Sequence, residues 1–513
     1  MARAASALSA TLVVSGAALA SRVLGFVRDV LIAAALGAGP VADAFLVALR
    51  IPNLARRALA EGALTAGFAP LWARVREAKG DDAAARLGGE AVAGLALLLA
   101  GATALGMIGA GALVLAVAAG LAGEAATRAL AADLTRLALP AIVAFGCAGL
   151  VAAMLAARGR VVALAIAPLA TNTTLIAALV LAPARVDDPA RLAAVLAGSV
   201  GLAGLVQLAI VAVAARRAGL LVAARPRLGP EIRAALALAG PALVTVASVE
   251  LILLAATQVA SFTPGLVARL YYAERLVQLP LGLVATAATA VLLPRLAARV
   301  RAGDAAGLAR AQNRALEAAL LVALPAATAL VLLAEPIVAV LFARGAFDTA
   351  DVAATASVLA GLALGLPIAA AGKILQQGGF AREHVRPGLA ATAAGVIATL
   401  AAGAPLVAAL GPLGLGLAVA AGLLAHTAVL AAVAARAEGW RPDGRLGDRL
   451  VRMVVACAAM AGWLLLLRTW TGGADDAPHL ALACTTGAAA YAAAALTLGA
   501  ARRADLAELR EAT

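Results

Sequence analysis

The sequence predicts an all-α polytopic membrane protein of about fourteen transmembrane helices, built as two pseudo-symmetric six-helix lobes and a C-terminal helix pair. Three observations predict it. The chain is 64% hydrophobic and 13% charged, with a mean hydropathy of +1.00, and only lipid solvates that much apolar surface. Apolar runs long enough to cross a bilayer recur from one end to the other. The connectors between them carry the basic residues on alternate sides.

The first six runs span approximately 8–36, 41–72, 87–121, 134–157, 161–181 and 192–215. The first is too long for a signal-peptide core and reads as a retained helix. A basic connector, 216–233, follows. The next six span 234–262, 266–296, 315–333, 352–376, 388–410 and 413–435; after a second basic connector, 436–452, come 453–467 and 480–498. The stretch 335–348, containing LFARGAF, reads as a short re-entrant or interfacial segment. The domain plan is an N-lobe at 1–217, a cytoplasmic linker at 218–233, a C-lobe at 234–436, and a helix pair with a cytoplasmic tail at 437–513. With both termini in the cytoplasm, inside connectors hold about 27 Lys and Arg and outside ones about six. Outside connectors carry acids instead: Asp187, Asp188, Asp348, Asp351, Asp475 and Asp476. The net charge of +13 is thereby assigned to membrane topology, and no nucleic-acid partner is expected.

An internal repeat supports the two lobes. The second run has Pro52 and then Pro70 before a basic exit; the eighth has Pro280 and then Pro294. Six helices, a linker and six more fit paired lobes with a site between them. Cys147, Cys457 and Cys484 all lie in apolar runs, and three thiols make no disulfide framework. His384, His426 and His479 have no metal-ligand spacing.

Function is carried by charges at membrane depth, each costing several kcal/mol unless it faces water or a partner. The first run holds Arg22, Arg28 and Asp29. In the second, Asp43, Arg50, Arg57 and Glu61 fall within about 40° of one helical face, with Arg56 beside them. The eighth has Arg269, Glu274, Arg275 and Gln278; Glu250 lies in the seventh and Lys373 in the tenth. These charges could pair and merely tie helices together. Arginines, however, outnumber acids in these three helices, and a surplus of guanidinium calls for an anion; its planar fork matches phosphate. A lipid-linked phosphate or pyrophosphate fits a site inside a bilayer. An acidic cavity, expected of a cation-coupled drug exporter, is not what this pattern offers. An enzyme is not expected: the outer acids Glu124, Asp133, Asp187 and Asp188 lack a His or metal partner.

At these residues the chain resembles the MurJ (MviN) family of lipid II flippases, within the multidrug/oligosaccharidyl-lipid/polysaccharide exporter superfamily. The matching text is SRVLGFVRD (21–29), GAGPVADAFLVALRIPNLARRALAEGALTAGFAPLWARV (37–75), YYAERLVQLPLGL (271–283), VLLPRL (291–296) and LFARGAFD (341–348). The resemblance implies transport of undecaprenyl-pyrophosphoryl-disaccharide-pentapeptide to the periplasmic leaflet for peptidoglycan synthesis, by alternating access of the lobes. It places Arg22, Arg28, Arg56, Arg57 and Arg275 on the pyrophosphate. Asp29, Asp43, Arg50, Asn53, Glu61, Glu274 and Gln278 become gating or orienting residues, and the last two helices a groove for the lipid tail. The implied surroundings are the bilayer of the bacterial inner membrane and other cell-wall synthesis proteins. The alternative substrate is another polyprenyl-pyrophosphate glycan, such as an exopolysaccharide or O-antigen unit. Two departures stand out. Lys373 is followed by ILQQGGF, where the family has a proline and an aromatic pair, and no Thr precedes Pro387. Residues 388–435, where some members place sodium ligands, contain no Asp, Glu or Asn, so no metal or other cofactor is expected. The membrane potential or an ion gradient would supply the drive, with Glu250 or Lys373 as coupling groups.

Overall fold

The computed structural model describes residues 2–60, 63–183, 185–227, 229, 247–287, 292–382, 384, 386–437, 439–471 and 476–501, with side chains placed except at 2–15, 57–60, 63–67, 286–287 and 437. Every regular element among them is helical. Ten described helices are long and apolar enough to cross a membrane. They coincide with ten of the fourteen predicted runs; the first, second, seventh and eighth are not among them. Charge rather than length removes the second and the eighth. Arg22, Arg28 and Asp29 lie in α1 (Ala2–Leu36), Asp43, Arg50, Arg56 and Arg57 in α2 (Pro40–Ala60), and Arg269, Glu274 and Arg275 in α11 (Leu266–Ala287). The seventh is described only from α10 (Ser248–Ala260) onward.

Several runs divide where the backbone chemistry asks for it. The second becomes α2 and α3 (Ala63–Lys79). Gly109 separates α4 (Asp81–Ile108) from α5 (Ala110–Val117), and a 3-10 turn follows at Ala119–Gly123. Pro140 separates α6 (Ala125–Ala138) from α7 (Ala141–Ala157), since proline lacks the N–H an uninterrupted helix needs. α8 is Val162–Leu181 and α9 is Pro189–Arg217. Beyond α11 come α12 (Leu293–Arg301), α13 (Ala305–Leu332), α14 (Ala334–Phe342), α15 (Thr349–Ala381), α16 (Arg386–Leu410) and α17 (Pro412–Ala437). The segment expected as re-entrant or interfacial is thus a short helix and a turn. α18 (Gly444–Trp470) and α19 (Ala477–Thr497) are longer than their apolar runs, because each continues its polar first turn to an aspartate cap. Asp188, Asp348 and Asp476, expected on outside connectors, are such caps, accepting from the N–H groups of Ala190, Asp351 and His479.

The chain divides into two compact units, Met1–Glu250 with Ser261–Ala268, and Leu251–Ala260 with Arg269–Thr513. In the first, α7 is apolar all round and therefore central. Its Leu150, Val151, Met154 and Leu155 pack with Phe68, Trp72, Leu95, Val211 and Leu220, and the Trp72 indole donates to the Ala84 carbonyl at 2.9 Å. The connector after α9 runs against α4 at a glycine pair: a Cβ on Gly89 would stand 2.2 Å from the Val222 carbonyl oxygen, so only hydrogen fits. In the second unit α15 is central, packing on α13, α14 and α17. Gly361 faces Gly416 where α15 meets α17, and a Cβ on Gly361 would stand 2.9 Å from the Gly416 Cα. Leu333, Met453, Cys457, Met460, Leu464 and Tyr491 form a separate cluster under α18 and α19.

Candidate functional site

The predicted site residues fall on both units. In the first unit the motif SRVLGFVRD lies on α1. Ser21, Gly25 and Arg28 stand at i, i+4 and i+7, on one face within about 60°. Asn172 of α8 meets that face. Its Oδ1 accepts from Arg28 Nη1 at 3.0 Å, while its Nδ2 donates to the Ser21 carbonyl at 3.0 Å. Arg28 also donates from Nε and Nη2 to one oxygen of Asp29, at 2.9 and 2.7 Å. Asp29 is buried, and the Arg28 side chain keeps 20% of its surface. Arg22, about 100° away on the helix, is exposed.

On α2, Arg50, Asn53 and Arg56 are half-buried around Pro52, whose missing N–H leaves the Ala48 carbonyl without its usual helical donor. The Arg57 side chain and Glu61 lie outside the described residues. Asp43, near the start of α2, is buried. Its carboxylate accepts from the backbone N–H groups of Gly265 at 2.6 Å and Ala268 at 2.8 Å, at the N-terminus of α11. A carboxylate there satisfies orphan donors and faces the positive end of the helix dipole.

In the second unit Tyr271, Arg275 and Gln278 share one face of α11. The Arg275 guanidinium sits 4.4 Å from the centre of the Tyr271 ring and donates from Nη1 to Gln278 Oε1 at 3.1 Å. Gln278 Nε2 donates onward to buried Glu274, whose carboxylate is 3.8 Å from Arg275 Nη2. Arg269 pairs with Asp351 at 3.1 Å. Buried Tyr272 meets Phe342 and Phe347 with ring centres 5.5 Å apart, so the motifs YYAER and LFARGAF are two sides of one aromatic contact. Glu250 is half-buried in the first turn of α10. Lys373 is half-buried in α15 beside Gly372, where a Cβ would stand 3.5 Å from Nδ1 of buried His426.

The structure therefore joins Arg28 with Asp29, and Arg275 with Glu274 and Gln278. Asn172 and Tyr271 were not foreseen as members. The signals were present: Asn172-Thr173-Thr174 interrupts an otherwise apolar run, and Tyr271 is one of only three tyrosines. No group of three or more His, Cys, Asp or Glu able to hold a metal ion occurs among the described residues.

The sequence profile of the family described as lipid II flippase MurJ matches residues 32–474. The chain belongs to the MurJ family. That match covers every site residue from Asp43 to Lys373, with Arg22, Arg28 and Asp29 just ahead of it. A probable lipid II flippase MurJ of Rhizobium meliloti (strain 1021) is 39% identical over 463 residues, 89% of this chain and 86% of that one. The lipid II flippase MurJ of Burkholderia cenocepacia is 31% identical over 472 residues, 90% of this chain and 91% of its own length. Among solved structures, lipid II flippase MurJ in an inward closed conformation superposes with a TM-score of 0.76 at 19% identity, covering 94% of this chain and 98% of that one. An inward-facing MATE multidrug transporter gives 0.67 at 17% identity over 82% and 94% of the two chains. These two likenesses speak for the fold. The MurJ resemblance read from the motifs is borne out.

Proposed function

We propose that this chain flips lipid II from the cytoplasmic to the periplasmic leaflet of the inner membrane by alternating access of two six-helix lobes. The observation that carries the reading is the MurJ match over 32–474. In this reading Arg22, Arg28, Arg56, Arg57 and Arg275 take the pyrophosphate. Asp29, Asp43, Arg50, Asn53, Glu61, Glu274 and Gln278 orient them or gate access, and 453–467 with 480–498 hold the polyprenyl tail. The support from chemistry is that Arg28 and Arg275 are pre-set: each guanidinium is already held by neighbours and so loses little conformational freedom when an anion arrives. Both side chains retain surface, 20% and 16%. Glu250 or Lys373 couples the cycle to the membrane potential or an ion gradient, without metal or cofactor.

The test is growth of a strain depleted of its own lipid II flippase and supplied with this gene. The wild-type chain restores growth, whereas Arg22→Ala, Arg28→Ala and Arg275→Ala at equal membrane levels do not. Growth of all three variants would overturn the pyrophosphate assignment. Restoration of capsule or O-antigen export alone would move the substrate to another polyprenyl-pyrophosphate glycan.

A further inference from the structure

We infer that Asn172 of α8 is a positioning residue for substrate binding: its amide orients the Arg28 guanidinium toward a diphosphate while leaving its charge intact. The inference rests on the reading that Arg28 contacts the pyrophosphate. It goes beyond that reading by adding a residue on another helix that no motif of the chain singled out.

The geometry carries it. Asn172 is 8% exposed and uses both ends of its amide in opposite directions. Its oxygen accepts from Arg28 Nη1 at 3.0 Å, and its nitrogen donates to the Ser21 carbonyl at 3.0 Å, with the Ser21 hydroxyl at 3.4 Å. Rotating the amide by half a turn would set N–H against N–H and oxygen against oxygen, so its direction is determined by its partners. Gly25 lies against it, where even a Cβ would make an ordinary contact at 3.6 Å from Nδ2. Ser21 and Arg28 are thus the two motif positions this one side chain bonds. The next residue of α8 toward its start, Thr171, donates to Gln207 of α9 at 2.8 Å, which anchors that turn of α8 from the other side.

The chemical identity of the group matters as much as its place. Asp29 already places one carboxylate on Arg28, at 2.7 Å. A second carboxylate at 172 would give Arg28 two anionic partners, and an arriving diphosphate would have to compete with both. A neutral carbonyl oxygen directs the guanidinium without consuming its positive charge. Asparagine is the side chain that supplies this acceptor together with the donor Ser21 uses.

The experiment measures binding of undecaprenyl pyrophosphate to the full-length protein in lipid nanodiscs, alongside thermal unfolding. Asn172→Asp, near-isosteric, is expected to weaken binding about tenfold or more, the scale of one charge-assisted hydrogen bond. Asn172→Leu is expected to weaken it by a smaller factor, since orientation is lost but charge is kept. Repeated in an Arg28→Ala background, neither substitution should change affinity further, whereas damage to helix packing would lower it in both backgrounds. Normal binding by Asn172→Asp, together with weak binding by Arg28→Ala, would overturn the role of Asn172 and leave the arginine assignment standing. Normal binding by Arg28→Ala would overturn the assignment on which the inference rests. Equal losses in both backgrounds would also overturn it, reducing Asn172 to a packing residue.

Discussion

Two side chains near the site have duties that their residue types only half announce. Asp43 read as one charge in a polar stripe, yet its two oxygens serve backbone N–H groups of Gly265 and Ala268. Removing that carboxylate orphans two buried donors, at about 1–3 kcal/mol each. Asp43→Ala is therefore expected to lower thermal stability in detergent by about 2–6 kcal/mol, with Asp43→Asn intermediate because one acceptor survives. A loss of transport with unchanged unfolding would instead make Asp43 a gate. Arg275 depends on Tyr271 through the face of a ring, at 4.4 Å. A desolvated contact of this kind is worth about 2 kcal/mol. Tyr271→Phe should keep complementation, and Tyr271→Leu should weaken binding of undecaprenyl pyrophosphate about tenfold or more. Fluorinated phenylalanines at 271 should weaken it stepwise as the ring quadrupole fades; equal binding across that series would remove the ring from the site. Neither relation was legible in the sequence, because helical periodicity says which residues share a face and not what lies opposite.

At the scale of elements, the reading succeeded where hydropathy alone decides and stopped where polar contacts do. Ten helices follow from length and composition. The breaks at Gly109 and Pro140 follow from backbone chemistry. What hydropathy could not reveal is how α18 is held to α13. Glu317, buried in α13, receives Arg314 from its own helix, Arg449 of α18 at 3.0 Å and Arg445 at 3.5 Å. Asp443, the α18 cap, takes the other arm of Arg314, and Trp440 donates to Asn313 at 2.9 Å. Glu317 and Asp443 thus meet three guanidinium groups that the charge count assigned simply to the cytoplasmic side. Removing one member of a buried ionic network strands the rest, at about 3–5 kcal/mol. Glu317→Ala is accordingly expected to lower the unfolding temperature markedly and open the 437–443 connector to protease. Glu317→Asp, which keeps the charge, should do less. An unchanged digestion pattern in Glu317→Ala would mean that the apolar cluster around Met453, Met460 and Leu464 holds α18 unaided.

For the molecule as a whole, charge patterning has consequences at two levels that operate on different groups. Lys and Arg outside the helices concern orientation, since moving them across a membrane is opposed. Aspartates are not bound by that rule, and Asp188, Asp348 and Asp476 close helix N-termini. Asp476 is held below the ordinary carboxylate range, first by the His479 backbone N–H and then by the His479 side chain. It stays ionised, and an effective cap, well into the acid range. Because caps work on either face of a bilayer, the acids cannot report orientation and the basic residues must. The prediction is that both termini are cytoplasmic. Single cysteines replacing Asp188, Asp348 and Asp476, in a chain whose Cys147, Cys457 and Cys484 are changed to alanine, should react with an impermeant maleimide added to intact spheroplasts. Cysteines at Arg225, Arg382 and Arg441 should react only after lysis. Reaction of the second set in intact cells would invert the topology. Mixed labelling within a set would mean that the seventh or eighth run does not cross, since losing a single crossing reverses every connector beyond it, whereas loss of the first or second would invert all six probes together.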